Sequence, residues 1–171
     1  MEPLSGKEIT AHMSGILSPK HQVHGYAVDL TVKSISEVDP VGRVDFGGSE
    51  YTAAGKMPVG TVRRTPEDKY TWWDLGRGAY FVELNESLIL GENEIAVIEP
   101  DERLLRAGAT HTPLYLRGRM TPLEALLEVN VVRLQVKQNA RISRVRVFRF
   151  ADGASSASKP AAAKKASGKK K

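Results

Sequence analysis

VRLQVK at residues 132–137 alternates apolar and polar side chains, and RVRV at residues 144–147 repeats the alternation. Successive side chains of a β-strand point to opposite faces, whereas a helix needs apolar residues three or four positions apart. The pattern therefore predicts two strands. We expect Val132, Leu134 and Val136 to face a core, with the arginines and lysines of both segments facing outward.

The chain contains other short runs of β-branched or alternating residues, each bounded by Gly, Pro, Asn or Asp. They cover residues 28–32, 42–46, 80–84 and 95–98. Two longer runs, over residues 126–136 and 142–150, overlap the two segments quoted above. Such spacing is typical of a mainly β protein.

The amino terminus is the exception to the strand pattern. Ser5 and Glu8 have the spacing of a capping box and precede the apolar Ile9. We expect a short amphipathic helix whose apolar side continues through Met13, Ile16 and Leu17.

Composition limits the class of protein. The chain has 171 residues, of which 41% are hydrophobic and 26% charged, as in a globular protein with one core. No apolar run approaches the ~20 residues of a membrane-spanning helix, and the amino terminus lacks a secretion signal. With no cysteine, the chain has no disulfide framework. We expect a cytoplasmic protein with no membrane partner.

Residues 151–171 differ from the rest in composition. They contain no aromatic or branched aliphatic residue, and they hold six lysines and one aspartate, so the whole net charge of +5 lies there. Such a segment buries too little apolar surface to offset the entropy of ordering. We predict one domain over residues 1–150 and a disordered basic tail over residues 151–171. Its lysines are Lys159, Lys164, Lys165, Lys169, Lys170 and Lys171.

Residues 129–150 carry six basic side chains and no acidic one. We call them the basic strip: Arg133, Lys137, Arg141, Arg144, Arg146 and Arg149. They are either the solvated faces of exposed strands or, with Arg117, Arg119 and the tail lysines, contacts to nucleic-acid phosphates. The tail itself is either such an arm or a solubilising extension.

Other candidate sites are weaker. Trp72 and Trp73 follow Tyr70 and could stack on bases, although core packing is expected for one of the pair. His21 and His24 are three residues apart, but no cluster of acids accompanies them. With His12 and His111 they are expected to be structural histidines, and no metal site is predicted.

Several longer segments resemble the dUTPase and dCTP deaminase superfamily, especially its archaeal-type dUTPase branch. They are LSGKEI at 4–9, HQVHGYAVDLTV at 21–32, GAYFVELNE at 78–86 and LLRAGATHT at 104–112, with shorter matches at 45–46, 124–127 and 140–142. The resemblance runs from about residue 4 to residue 150 and omits the tail.

That resemblance implies a distorted β-barrel, usually a homotrimer with nucleotide sites between subunits, that binds a deoxynucleoside triphosphate with Mg²⁺. If the chain is active, Asp29, Arg106 and Glu128 are the residues that match catalytic positions: Asp29 a family motif position, and Arg106 and Glu128 the arginine and proton-shuttling glutamate of the deaminases.

Three other motif positions depart from the family. Its Pro-Arg-Ser-Ser-Leu phosphate-binding segment is matched by Pro100–Leu104, which carries Asp101 and Glu102. At 4 Å and an effective dielectric of about 20, a like-charge pair costs roughly 4 kcal/mol, so these acids are expected to oppose a triphosphate. Leu116 stands where the family's water-positioning aspartate is expected, and leucine cannot orient water. Arg144 replaces a glutamine.

From these departures we expect a non-catalytic dUTPase-like binding module that needs no cofactor. Its expected partners are RNA, in particular ribosomal RNA, and ribosomal proteins. The first alternative is a dUTP diphosphatase, or a dCTP deaminase-like enzyme, acting on deoxynucleoside triphosphates with Mg²⁺. The second is a nucleotide-sensing regulator that binds without turnover.

Overall fold

The computed structural model describes residues 1–39 and 41–151. The predicted tail, apart from Ala151, lies outside these residues, as do all six of its lysines. The elements, in chain order, are β1 (Glu2–Pro3), α1 (Gly6–Thr10), β2 (Met13–Ser14), α2 (Pro19–Gln22), β3 (Val23–His24), β4 (Ala27–Val38), β5 (Lys56–Pro58), β6 (Trp72–Leu84), β7 (Ser87–Ile89), β8 (Glu94–Pro100), α3 (Glu102–Arg106), β9 (Ala109–His111), β10 (Leu114–Leu116), β11 (Arg119–Met120), β12 (Glu124–Lys137) and β13 (Arg141–Arg149).

A large antiparallel sheet organises the chain. Its strands follow the order β10-β8-β13-β4-β6-β12-β9, with β1 on β13 and with β3 and β5 on β4. A second sheet joins β11, β7 and β2. The prediction of a mainly β protein is confirmed. None of the described helices is long and apolar enough to cross a membrane.

The large sheet curls around the core, as a distorted barrel does. Its edge strand β9 returns to β13, where the His111 ring Nε2 and the Ser143 hydroxyl lie 2.8 Å apart. Val28, Leu30, Val82, Ile98 and Val145 are each fully buried or nearly so inside the curl. The same alternation that buries Val145 and Val147 turns Arg144 and Arg146 outward, as the sequence predicted.

The amino-terminal helix begins as predicted but ends early. Ser5 caps α1, and Glu8 accepts a hydrogen bond from the Ser5 backbone N–H at 2.8 Å, which completes the capping box. The helix ends at Thr10. Met13 lies in β2, where it pairs with Leu88 of β7 instead of continuing the helix. The expected apolar helical side through Leu17 is therefore wrong, because strand pairing takes over that segment.

One strand prediction and one prediction of side-chain orientation are also wrong. Residues 42–46 form no strand and contribute only an isolated bridge from Arg43 to Thr52. In β12 the register with β6 shifts between Val129 and Arg133, which is a β-bulge. The bulge leaves Val132 82% exposed, whereas Leu134 and Val136 are buried as expected.

A buried carboxylate ties α2 to the sheet. Glu86 is 1% exposed and accepts hydrogen bonds from the Thr31 backbone N–H, the Thr31 hydroxyl and the Gln22 amide, at 2.7 to 2.8 Å. Gln22 also donates to the Asp29 carbonyl at 2.9 Å. Buried polar groups are tolerated when they are paired in this way, and the pairing fixes the segment that leads into β4.

Deletion of residues 152–171 is expected to leave the melting temperature nearly unchanged, within about 2 °C. Every buried apolar side chain of the described residues lies between Leu4 and Val147, and residues 152–171 contain no aromatic or branched aliphatic side chain that could add to this core. Differential scanning calorimetry of the full and shortened chains measures the difference. A large drop would mean that the deleted segment packs on the barrel, and the domain boundary predicted at residue 150 would be wrong.

Candidate functional site

Asp29 is a buried carboxylate with charged or polar side chains around it. It is 1% exposed, although it lies on β4 opposite Arg144 of β13. Its Oδ1 accepts from Arg144 Nε at 2.8 Å, and its Oδ2 lies 3.2 Å from Arg141 Nη1 and 2.9 Å from His24 Nε2. Both carboxylate oxygens are therefore engaged by side chains of this chain.

Arg144 links Asp29 to the segment that matches the phosphate-binding motif. Its Nη2 donates to Asp101 Oδ2 at 3.3 Å. Asp101 is 4% exposed, caps α3 through the Arg103 backbone N–H and accepts from Arg103 Nε at 2.9 Å. Burial alone would raise the pKa of Asp101, but the hydrogen bonds from Arg103 and the nearby guanidinium charges hold that pKa below its ordinary value. The hydrogen bond from Arg144 to Asp29 raises the pKa of Arg144, because it stabilises the charged guanidinium group.

Glu102, the other acid of the segment, pairs with Arg106 one turn along α3, at 2.5 Å. We call the charged side chains around Asp29 the arginine–carboxylate cluster: Asp29, Asp101, Glu102, Arg103, Arg106, Arg141 and Arg144. It has four guanidinium groups against three carboxylates, a formal excess of one positive charge. The expectation that these acids would oppose a triphosphate stays a prediction, although arginines of the same cluster pair with both of them.

Glu128 is the remaining candidate that matches a catalytic position. It is exposed on β12, between the buried Leu127 and Val129, and is paired in register with Thr110 of β9. Within the described residues its carboxylate makes no hydrogen bond or ion pair, and none joins it to Asp29 or Arg106. The structure thus leaves Glu128 free, and one chain does not bring the three matched residues into contact.

The basic strip is less basic in three dimensions than in sequence. Although residues 129–150 lack acids, neighbouring strands supply them. Arg133 pairs with Asp74, Arg146 with Glu99 and Arg149 with Glu94, in addition to the pairs with Asp29. The Arg133 hydrogen bonds lower the pKa of Asp74. These arginines therefore serve first as cross-strand ion-pair partners.

The other predicted nucleic-acid contacts lie apart from these pairs. Arg117 and Arg119 are exposed, with Arg117 5.8 Å from the centre of the Phe150 ring. Lys137 lies over the rings of Tyr70 and Trp72. Trp73 is 4% exposed and donates to the Val59 carbonyl, so the expected core packing of one tryptophan is confirmed. Trp72 is half-buried.

Sequence reasoning missed the partner of His111. This ring is 2% exposed, and its Nδ1 lies 3.0 Å from the Thr112 carbonyl while Nε2 lies 2.8 Å from the Ser143 hydroxyl. Burial lowers the pKa of His111, because the protein interior disfavours the charged ring. No local signal pairs residues 111 and 143, since the contact arises only when the barrel closes.

The potential metal-ligating side chains of the described residues do not form a metal-binding site. Across residues 1–39 and 41–151, no three His, Cys, Asp or Glu side chains are arranged to hold an ion. The carboxylates of Asp29 and Asp101 are already held by arginines.

Comparison with known proteins places this geometry in a family. No protein-family model matches the chain. A probable deoxyuridine 5'-triphosphate nucleotidohydrolase of Methanosarcina acetivorans is 32% identical over 126 residues, which cover 72% of this chain and 70% of that protein. The chain belongs to the dUTPase and dCTP deaminase superfamily. A second probable dUTPase, from Halobacterium salinarum, is 25% identical over 141 residues, or 82% of each protein.

A solved structure of the superfamily has the same fold. The 2'-deoxycytidine 5'-triphosphate deaminase of Agrobacterium tumefaciens superimposes with a TM-score of 0.64 and 16% identity, over 87% of this chain. The matched region is 48% of the deaminase chain, so this superfamily member spans about half of that protein. The resemblance inferred from residues 4–150 is confirmed at the level of family and fold.

Replacing Arg144 by Gln is expected to destabilise the fold by about 2 kcal/mol. The change leaves the buried Asp29 and Asp101 with fewer donors. The expected loss is below the ~3–5 kcal/mol of a fully buried pair, since the Arg144 side chain is 36% exposed. Urea unfolding of both proteins measures the loss, and Arg117→Gln is the control because Arg117 forms no ion pair within the described residues. Equal stability of Arg144→Gln and the original chain would contradict the pairing.

Stability is expected to decline as pH falls below about 6.5, the ordinary pKa of histidine. Because His111 has a lowered pKa when folded, the unfolded chain binds its proton first, and stability is lost between that value and the lower folded pKa. The slope from this group cannot exceed about 1.4 kcal/mol per pH unit. Urea titrations of the original chain and of His111→Gln between pH 7.5 and 5 measure the difference. The same slope in both proteins would refute the assignment.

Proposed function

We propose that this protein hydrolyses dUTP to dUMP and pyrophosphate, with Mg²⁺ arriving on the triphosphate as part of the substrate. The relatives named as probable dUTP nucleotidohydrolases support the class of reaction. The charge balance of the arginine–carboxylate cluster carries the proposal, because arginines pair with both of the acids that were expected to oppose a triphosphate.

The cluster provides donors for an anion. Arg144 is about one-third exposed and Arg141 slightly less, while Arg103 and Arg106 are more than half exposed. Guanidinium groups match phosphate oxygens in geometry and stay charged at any physiological pH. Hydroxyls are missing from the Pro100–Leu104 segment, so the arginines of α3 and β13 take over phosphate binding in this proposal.

Glu128 is proposed as the general base in place of the carboxylate that Leu116 cannot supply. Water attacks the α-phosphorus, and Glu128 takes the proton from the water. The bond from that phosphorus to the oxygen shared with the β-phosphorus breaks, and this oxygen leaves on the pyrophosphate. A carboxylate with no hydrogen bond or ion pair in the described residues is free for this task. Positioned general bases contribute about 10²- to 10⁴-fold to rate.

The proposed site needs more than one copy of the chain. Asp29 lies on β4 and the exposed Glu128 lies on β12, and β6 separates these two strands in the sheet. A neighbouring subunit could bring its own Glu128 to the cluster. We therefore propose the homotrimer expected from the resemblance, with each site between subunits.

Glu128→Gln is expected to lower kcat for dUTP by about 10²- to 10⁴-fold, with a smaller change in KM, because the change removes proton transfer and keeps the shape. Release of dUMP and pyrophosphate by the purified chain with Mg²⁺, followed by ion-exchange chromatography, measures the rate.

Glu92→Gln is the matched control for this test, since Glu92 is exposed in the turn before β8. The hydrolase proposal fails if the original chain gives no dUMP above background. A Glu128→Gln variant as fast as the original would refute the general-base role alone.

A non-catalytic module bound to RNA, such as ribosomal RNA with ribosomal proteins, is the second candidate. Leu116 in place of a water-orienting acid favours it, as do the exposed cations Lys137, Arg117 and Arg119. Absence of dUTP turnover together with salt-sensitive sedimentation of the full chain in ribosomal fractions would select this function over the first.

A further inference from the structure

A surface of cationic and aromatic side chains lies away from Glu128, at the amino end of β6. It consists of Arg64, Lys69, Tyr70, Trp72 and Lys137, and we call it the cation–aromatic face. The Arg64 guanidinium lies 3.9 Å from the centre of the Trp72 ring, and Lys137 Nζ lies 4.6 Å from Tyr70 and 5.6 Å from Trp72. Lys69 Nζ lies 5.5 Å from Tyr70.

The backbone holds this surface in place. Lys137 and Trp72 are direct partners in the ladder between β12 and β6. Val62 and Trp72 exchange two backbone hydrogen bonds of 2.8 Å, and Asp68 accepts from the Arg64 backbone N–H at 3.1 Å. Both aromatic rings are thus anchored by strand pairing or by residues next to it, which gives them a defined spacing.

Two clefts reach the surface from either side of the turn between β12 and β13. One has a volume of about 580 Å³ and includes Tyr70 in its wall. The other has a volume of about 570 Å³ and includes Trp72. Lys137 and Arg141 line both clefts, so each aromatic ring has its own recess and the two recesses share cations.

Part of the surface has no polar partner among the described residues, although the Arg64 side chain pairs with Asp68 at 3.5 Å. Lys69 and Lys137 form no ion pair among the described residues, and Tyr70 is 38% exposed. Trp72 Nε1 is buried and has no hydrogen-bond partner in the part of the chain that the structure describes. With the exposed Arg63, the four cations outnumber the adjacent acids Glu67 and Asp68. The surplus positive charge sits beside two aromatic rings.

We propose that the cation–aromatic face binds single-stranded nucleic acid, with one base in each cleft and with Lys137 on the phosphate between them. Unpaired bases stack on aromatic rings, while cations follow the backbone, and the combination is typical of single-strand binding. A duplex hides its base faces and cannot use two rings in separate recesses. This surface is independent of dUTP hydrolysis, so either proposal can fail alone.

Fluorescence anisotropy of the full chain with labelled oligouridylate and oligothymidylate of about 12 nucleotides tests the proposal, because single-strand binding sites cover ~4–16 nucleotides. Tyr70→Ala is expected to weaken binding about tenfold, which corresponds to about 1.4 kcal/mol. Tyr70→Phe keeps the ring and is expected to bind as the original does. Lys137→Gln is expected to reduce the slope of log affinity against log salt by about one.

Tyr115→Ala and Lys7→Gln are the matched controls, since both residues are exposed on other elements. Undiminished binding by Tyr70→Ala, an equal loss in Tyr115→Ala, or equal affinity for the duplex would overturn the proposal. A preference for oligouridylate would assign the surface to RNA, and a preference for oligothymidylate would assign it to DNA.

Discussion

An ionised carboxylate that is 1% exposed, as Asp29 is, must find positive charge and hydrogen-bond donors inside the fold. Its partners come from three places: His24 from β3, Arg141 from the first position of β13 and Arg144 from further along that strand. The pairing therefore fixes β13 against β4 and holds Arg144 where it also reaches Asp101. Loss of one partner would leave a buried charge poorly compensated, which costs far more than an exposed ion pair contributes.

The same need for charge pairing changes the interpretation of the basic strip as a surface for anions. In sequence they form a run without acids, which is typical of a surface for anions. In the fold, each outward-facing arginine of β13 meets an acid from β4 or β8, so most of that positive charge is cancelled locally. In the proposed function, a triphosphate would be attracted by the small excess at the arginine–carboxylate cluster and by directed guanidinium donors, rather than by a broad positive field.

The parts of the structure that sequence could predict are those with local causes. The capping box needs only Ser5 and Glu8, and the alternation around Val145 needs only neighbouring residues, so both predictions are confirmed. Val132 escaped prediction because a bulge changes the register of β12, and a bulge has no signature in the alternation itself. The contact from Arg144 to Asp29 spans 115 residues, and the acid that neutralises an arginine depends on strand register. The family motifs located Asp29 and Glu128, but their surroundings required the fold.

The turn between β12 and β13 connects the two proposed sites. The energetic cost of moving Arg141 decides which side chains each site can use. Arg141 lines both clefts, yet its Nη1 also holds Asp29 and the His21 carbonyl, at 3.2 Å and 2.5 Å. A nucleic-acid phosphate that drew Arg141 away would weaken the compensation of a buried charge, so that contact carries a cost. Lys137 is exposed, forms no ion pair among the described residues and already lies against both rings. Its ammonium can bind a phosphate without disturbing Asp29. We therefore assign the proposed contact with a nucleic-acid phosphate to Lys137, and Arg141 stays in the arginine–carboxylate cluster.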